Sequence, residues 1–285
     1  MIVVGTRGSA LALVQARIVI DALGGDATVR VIRTAGDASD RPIRELGDGV
    51  FVAAIEDALR QGEIDVAVHS LKDLPTEDPA DLVIAAIPGR EDVRDVLITK
   101  GRGGLADLRD GAIVGTSSPR RAAFLAAMRQ GITCREIRGN VDTRLRKVAE
   151  GQYDATVLAA AGLRRLGIAF GAHEALPIEL CPPAPGQGAL AIQARKSDRA
   201  TLARLAFLDD ARTRAAVVAE RELLRLLGAS CDIPLGAYGH WDGAELVLDA
   251  ALATDDGVRR TTHRGSDPRE LAELAAQVLG TMTHA

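Results

Sequence analysis

At 285 residues with 47% hydrophobic content, the chain is long enough for two or three domains and apolar enough to bury a core, which excludes a disordered class. A formal net charge of −4, from 35 basic against 39 acidic residues, argues against a general nucleic-acid binder but leaves room for a strongly one-signed local site. Aromatic residues make up only 2%, so recognition of bases by stacking is disfavoured as well.

The chain opens on a short apolar strand, "MIVVG", followed by a helix from about Ser9. A strand "TVRVIRT", a helix near "VFVAAIEDALR" and a buried strand "IDVAVHS" come next, an alternation that reads as α/β. After "AAIPGREDVRD" a second set begins: strands "DVLIT" and "GAIVGTSS", a helix opened by "SSPRRAAFLAAM", a strand "TCREIRG", a helix "VDTRLRKVAEG" and a strand "YDATVLAA". "VVGTRGSALAL" matches "IVGTSSPRRAAFL", and "GEIDVAVHSLKDL" matches "GQYDATVLAAAGL", in order and local pattern, so the two sets read as copies. "APGQGALAIQARKSD" contributes one further strand, and helical stretches including "ARTRAAVVAERELLRLLG" follow. The C-terminal part reads as a small α+β region with a strand "AELVLDAALAT" and a helix "DPRELAELAAQVLG".

No apolar run is long enough to cross a bilayer, and the N-terminus has no basic and apolar leader, so a cytoplasmic protein without a membrane partner is expected. Cys134, Cys181 and Cys231 form no CxxC pair and no metal-like spacing with histidine, which gives neither a disulfide framework nor a metal site. No GxxxxGK(S/T) or strand-linked GxGxxG motif is present, which makes a nucleotide a weak explanation for the arginines.

The polar motifs fall where strands end and helices begin. In "GTRGS", Ser9 either caps the helix or joins Arg7 in an anion site built on free backbone N–H groups. "GTSSPRR" repeats the device: Ser117 or Ser118 caps, Pro119 suits the first turn, and Arg120 and Arg121 sit at the positive end of the helix dipole. Two cations there call for a compensating anion. Arg138 and Arg144 in "IRGNVDTRL", and Arg164 and Arg165 in "AAGLRRLG", lie at equivalent strand ends, which together describe a pocket for a polycarboxylate or polyphosphate. In "HSLKDLPT" the pair Lys72 and Asp73 is either a surface ion pair or a place where a carboxylate meets a cationic or N–H-bearing part of the same ligand. Cys231, in "GASCDIPLGAY", lies in a small-residue turn that would leave its thiol accessible.

Taken together, "GTRGSALALVQA", "HSLKDLPT", "GTSSPRR", "IRGNVDTRL", "AAGLRRLG", "APGQGALAI" and "GASCDIPLGAY" closely resemble the porphobilinogen deaminase, or hydroxymethylbilane synthase, family, in that family's order over nearly the whole chain. The resemblance implies an α/β protein of three domains: two periplasmic-binding-protein-like lobes, residues 1–90 plus about 188–208 and residues 91–187, and a small α+β domain, residues 209–285, carrying the cysteine loop. It implies one dipyrromethane cofactor per chain, joined to Cys231 by a thioether, on which four porphobilinogen molecules are deaminated and added head to tail. Hydrolysis then releases hydroxymethylbilane to the next enzyme of tetrapyrrole and heme biosynthesis. A monomer without a metal is expected.

By motif, Asp73 is the catalytic carboxylate that binds pyrrole nitrogens. Lys72, Asp73, Thr116, Ser117, Ser118, Arg120, Arg121 and Arg144 hold the cofactor, and Arg7, Ser9, Gln15, Arg138, Arg144 and Arg165 hold substrate. The chain departs from the family pattern at Ala229 and Ser230, where a pair of glycines is usual, and at Asp48, ahead of Phe51, in a polar segment read as a lid over 36–50. The rivals to an enzyme are a solute receptor built on the same lobes, disfavoured by the missing export signal and the third domain, and an allosteric sensor, disfavoured by the lack of a DNA-binding segment.

Overall fold

A computed structural model describes residues 1–34, 52–101, 103–170, 173–228 and 233–280. The segment 36–50, Phe51, Ala229, Ser230 and Cys231 lie outside the described residues. In chain order the first elements are β1 (Ile2–Thr6), α1 (Ala10–Ala22), β2 (Ala27–Val31), α2 (Ala53–Arg60), β3 (Val66–Ser70) and β4 (Leu82–Ala86). Next come β5 (Asp95–Thr99), β6 (Ile113–Gly115), α3 (Pro119–Met128), β7 (Thr133–Arg135), α4 (Val141–Ala149), β8 (Ala155–Ala159), α5 (Ala160–Arg165) and β9 (Glu174–Ala175). The chain continues through β10 (Leu190–Arg195), α6 (Arg199–Leu205), α7 (Ala211–Leu226), β11 (Leu235–Asp242), β12 (Glu245–Thr254), β13 (Gly257–Gly265) and α8 (Pro268–Gly280).

β1 is apolar on both faces because it is an inner strand, parallel to β2 on one side and β3 on the other. α1 starts where Ser9 Oγ accepts a hydrogen bond from the Ala12 amide, buries Ala12, Gln15, Ala16, Val19 and Ile20 at helical spacing, and ends before Gly24 and Gly25, both at positive φ. α3 repeats the start with Ser118 as cap and a proline in its first turn.

The internal copies are legible in the strand order. One sheet runs β2-β1-β3-β10-β4 and the other β7-β6-β8-β5-β9. In each the first three strands are parallel and the fourth is antiparallel to both its neighbours. These are the two lobes of the expected α/β class. The third sheet, β11-β12-β13, is an antiparallel meander whose inner face packs on α7 and α8 through Ala219, Leu223, Leu248, Leu271 and Ala275, and it forms the small α+β unit.

The sequence reading missed β4, β9, β11 and β13. "GVRRTTHRG" of β13 is almost wholly polar because it is the edge strand of its sheet and only partly covered, so hydropathy gives no period. "TCREIRG" pairs only over Thr133–Arg135, and the rest of it is the approach to α4.

The chain crosses between the lobes twice, through 87–94 after β4 and through 176–189 before β10. The crossings touch where the Glu91 amide donates to Gly188 O at 3.2 Å. Gly188 has φ of 87°, and a Cβ on it would stand 2.5 Å from Glu91 O. A left-handed conformation and a backbone contact with no room to give both require glycine there. Gly188→Ala is expected to lower unfolding free energy by at least about 2 kcal/mol in a urea titration, with the slope of the transition unchanged.

Candidate active site

The turn that follows β3, Leu71–Asp73, carries the two ionisable groups of the first lobe. Asp73 is exposed and faces a partly open cavity of about 70 Å³ whose lining includes Arg7, Ser9, Gln15, His69 and Ser70. Gln15, buried on α1, is fixed by a hydrogen bond from its Nε2 to Ser70 Oγ at 2.8 Å. Burial, together with the nearby Arg7 guanidinium, pushes His69 down to about 4, so it is neutral near pH 7 and adds no charge to this wall.

Lys72 points the other way, into the junction of the lobes. Its Nζ donates to Gln187 Oε1 at 3.2 Å, and Gln187, wholly buried, donates through Nε2 to Val93 O at 2.8 Å and Asp95 Oδ1 at 2.9 Å. Asp95, also wholly buried, sits between Arg120, 2.6 Å from its Oδ2, and Arg121, 2.7 Å from its Oδ1. Arg120 also donates to Pro182 O and lies 3.8 Å from Cys181 Sγ, and Arg121 donates to Val157 O. Burial alone would raise the Asp95 carboxyl, but the two guanidiniums outweigh it and hold it well below the usual carboxylate range. A carboxylate, two guanidiniums and a glutamine thus knit β5, α3 and the second crossing to the Lys72 turn.

The charge of this cluster is not balanced. Burial and the field of Arg121 push Lys72 down to about 8, against the opposing pull of Asp73 and Asp95. Burial, then Arg121 and Arg138, push Arg144 on α4 down to about 10. Arg121 therefore acts on a cation from each lobe, and the field that disfavours both positive charges is the one an anion would relieve. Arg144 Nε donates to Gly139 O at 2.8 Å, and Lys147 donates to Arg138 O at 3.1 Å, which fix the turn ahead of α4. Arg165 donates to Gly188 O at 2.7 Å, and burial lowers its guanidinium.

Several expected contacts are taken up within the protein. Ser9 and Ser118 serve as helix caps, Ser117 Oγ donates to Ile137 O at 2.7 Å, and Thr116 Oγ1 accepts from the Ser118 amide at 3.2 Å. The anion expected opposite Arg120 and Arg121 is supplied by the chain itself, as Asp95. Both arginines, read by motif as cofactor-holding, are buried and ion-paired to Asp95, with only Arg120 Nε lacking a hydrogen-bond partner. Arg164 turns to Glu91 and Asp92, at 3.1 and 2.9 Å. Sequence reasoning missed Asp95, Gln187, and the pair of Arg90 with buried Glu220, held at 2.5 and 2.9 Å. The available signal was a carboxylate placed directly before the apolar run "VLI" in "DVLIT" and a glutamine inside "APGQGALAI".

Comparison with known proteins matches residues 2–203 to the family model "Porphobilinogen deaminase, dipyromethane cofactor binding domain" and residues 214–283 to "Porphobilinogen deaminase, C-terminal domain". A porphobilinogen deaminase from Roseiflexus sp. strain RS-1 is 48% identical over 93% of this chain and 90% of its own. One from Mycolicibacterium paratuberculosis is 52% identical over 98% of this chain and 96% of its own. Among solved structures, a YaeC-family lipoprotein from Enterococcus faecalis V583 aligns with 75% of this chain and 93% of its own at 18% identity and a TM-score of 0.43.

Replacing Asp95 by Asn would leave two buried guanidiniums facing a neutral amide. The variant is expected to lose roughly 3–5 kcal/mol of stability at pH 7 in chemical denaturation. Because the folded state depresses the Asp95 pKa, its stabilisation is fully present above the ordinary aspartate range and is lost as pH falls through and below about 4. The stability gap between wild type and variant should therefore narrow in acid.

Proposed function

The chain belongs to the porphobilinogen deaminase family and is a hydroxymethylbilane synthase, and from that premise we propose how its own residues divide the reaction. The observation that carries the proposal is the positive field that Lys72 and Arg144 share through Arg121, next to the carboxylate of Asp73. Porphobilinogen and dipyrromethane carry acetate and propionate carboxylates on pyrrole rings with N–H groups, so one site must offer cations to the arms and an anion to the ring.

The donor set fits the dipyrromethane group. Lys72 and Arg144, whose charges are disfavoured until a carboxylate arrives, would hold its arms, and Thr116, Ser117 and Ser118 border the same helix start. Arg120 and Arg121 act mainly through Asp95: they fix the junction and supply the field felt by Lys72 and Arg144. When bound, the group supplies the pyrrole carbon to which the first substrate unit is joined. Arg7, Ser9, Gln15, Arg138 and Arg165 would receive the incoming porphobilinogen, the first three from the cavity that Asp73 also lines.

Asp73 would accept the pyrrole N–H of the substrate. As the bond from the aminomethyl carbon to nitrogen breaks and ammonia departs, positive charge spreads over the ring, and the Asp73 carboxylate stabilises it as it develops. Burial of neutral His69 on the wall of that cavity leaves Asp73 as its acidic group. We assign attachment to Cys231 by motif, and the other two thiols support this by default. Burial pushes Cys181 up to about 11 and raises Cys134, so neither supplies a thiolate near neutral pH.

The same reading takes residues 1–90 with about 188–208, 91–187 and 209–285 as the three domains, supported by the order of the three sheets. It takes the enzyme to be a cytoplasmic monomer that passes its product to the next tetrapyrrole enzyme. Among the described residues no helix is long and apolar enough to cross a membrane.

Asp73→Asn should keep the fold and lose about a hundredfold or more in kcat with little change in KM, since the amide cannot stabilise charge that exists only in the transition state. Near-normal turnover would remove Asp73 from the mechanism. Intact-mass measurement on the wild-type protein should show an addition equal to two pyrrole units, resistant to thiol reductants and mapping to the peptide with Cys231. The Cys231→Ser protein should lack both the addition and turnover. An active wild-type protein of unmodified mass would defeat the attachment.

A further inference from the structure

A second cavity, of about 450 Å³, opens where the first crossing, α5, the start of α7 and β11 meet. Its size falls in the range of small-molecule sites, roughly 300–1,000 Å³. None of the residues assigned above to cofactor, substrate or catalysis lines it.

Its lining combines two features that are unevenly distributed in this chain. The sequence contains one tryptophan and two tyrosines, and Trp241 and Tyr238 both belong to this wall. Tyr238 stacks on His240 with ring centroids 4.8 Å apart and planes 11° from parallel, and the Arg212 guanidinium lies 5.1 Å from the Trp241 ring centroid. The stacked Tyr238 and His240 make a flat aromatic face, and Trp241, on the other face of β11 at the rim of the cavity, is fixed by its Nε1 hydrogen bond to Arg212 O, 2.9 Å.

The second feature is charge. Four arginines, Arg90, Arg94, Arg164 and Arg212, line the cavity against two carboxylates, Glu91 and Asp92. Arg90 is taken by Glu220, Arg94 by Asp92 at 2.7 Å, and Arg164 by Glu91 at 3.1 Å and Asp92 at 2.9 Å. The side chains of Arg94 and Arg164 are 40% and 47% exposed, and Asp92 takes only Nε and Nη2 of Arg94, so the guanidiniums have further donors for a ligand while their pairs with Asp92 stay in place. Two half-exposed guanidiniums beside a stacked aromatic pair match a flat ring that carries its own carboxylate.

We infer that this cavity binds a planar aromatic carboxylate, with its ring against the Tyr238 and His240 pair and its carboxylate on Arg94 and Arg164. The site is independent of the chemistry assigned to Asp73. It is joined to that chemistry covalently, since Arg94 precedes Asp95 in the chain.

Trp241 is the chain's only tryptophan, so the full-length ¹⁵N-labelled protein has one indole N–H resonance, and it reports on this cavity. Titration with isophthalate is expected to move that resonance saturably. The double variant Arg94→Ala with Arg164→Ala, and separately Tyr238→Leu, should weaken the apparent affinity by about tenfold or more while leaving the backbone amide spectrum folded. Cyclohexane-1,3-dicarboxylate and inorganic phosphate should produce much smaller effects. An unmoved indole resonance at millimolar isophthalate, equal effects from the saturated ring or phosphate, or undiminished affinity in the folded variants would each overturn the inference.

Discussion

A single carboxylate, Asp95, decides how the two lobes meet. It is wholly buried at the first residue of β5, where desolvation would normally drive it to the neutral acid, and it stays ionised because Arg120 and Arg121 close on it from the first turn of α3. The two arginines oppose the dipole of their own helix, so neither partner in this triad is tolerable without the other. Gln187 carries the arrangement onward, accepting from Lys72 in the first lobe while donating to Asp95 in the second. The interface is therefore polar at its centre and directional, where an apolar contact would fix area but not register.

That arrangement explains why the site is positive without being open. Arg120 and Arg121 spend their hydrogen bonds inside the protein, yet their charges exceed the one carboxylate between them, and the surplus is felt at Lys72 and Arg144. A guanidinium locked by a buried partner cannot relax away from a ligand, so the field that meets an incoming carboxylate exists before it arrives. This is electrostatic preorganisation, obtained at the cost of placing like charges near one another. Glu220 does the equivalent work at the third sheet: buried on α7, it pairs with Arg90 of the first crossing and accepts from the Gly186 and Gly239 amides.

The lobes were legible in the sequence because strands such as "IDVAVHS" and caps such as Ser118 before Pro119 are local signals, and the duplication made each lobe a check on the other. Asp73, Lys72 and the arginine motifs could be found for the same reason, being clustered in short strand-end segments. Asp95 could not. Its partners lie 25 and 26 residues further along the chain, and a carboxylate at the start of a strand reads as solvent-facing until the fold closes over it. Gln187 and Glu220 were hidden in the same way, since Asp95 and Arg90, which they respectively meet, lie 92 and 130 residues away. Edge strand β13 was missed because its burial is partial and its residues polar, which removes the period that hydropathy detects.

The first crossing ties these parts together. Arg90 reaches Glu220 and Gln187 O, Glu91 meets Gly188, Asp92 gathers Arg94 and Arg164, and Asp95 then enters the buried triad, so neighbouring residues take part in the third-sheet contact, the contact between the crossings and the Asp95 junction. A segment so committed cannot shift at one end without disturbing charge pairs at the other, because buried ion pairs tolerate little loss of geometry. The aromatic cavity borders this segment on the side of Arg94 and Arg164, and Lys72 lies beyond Asp95, across Gln187. A ligand held by Arg94 therefore acts on the residue next to the carboxylate that holds Arg120 and Arg121 in place.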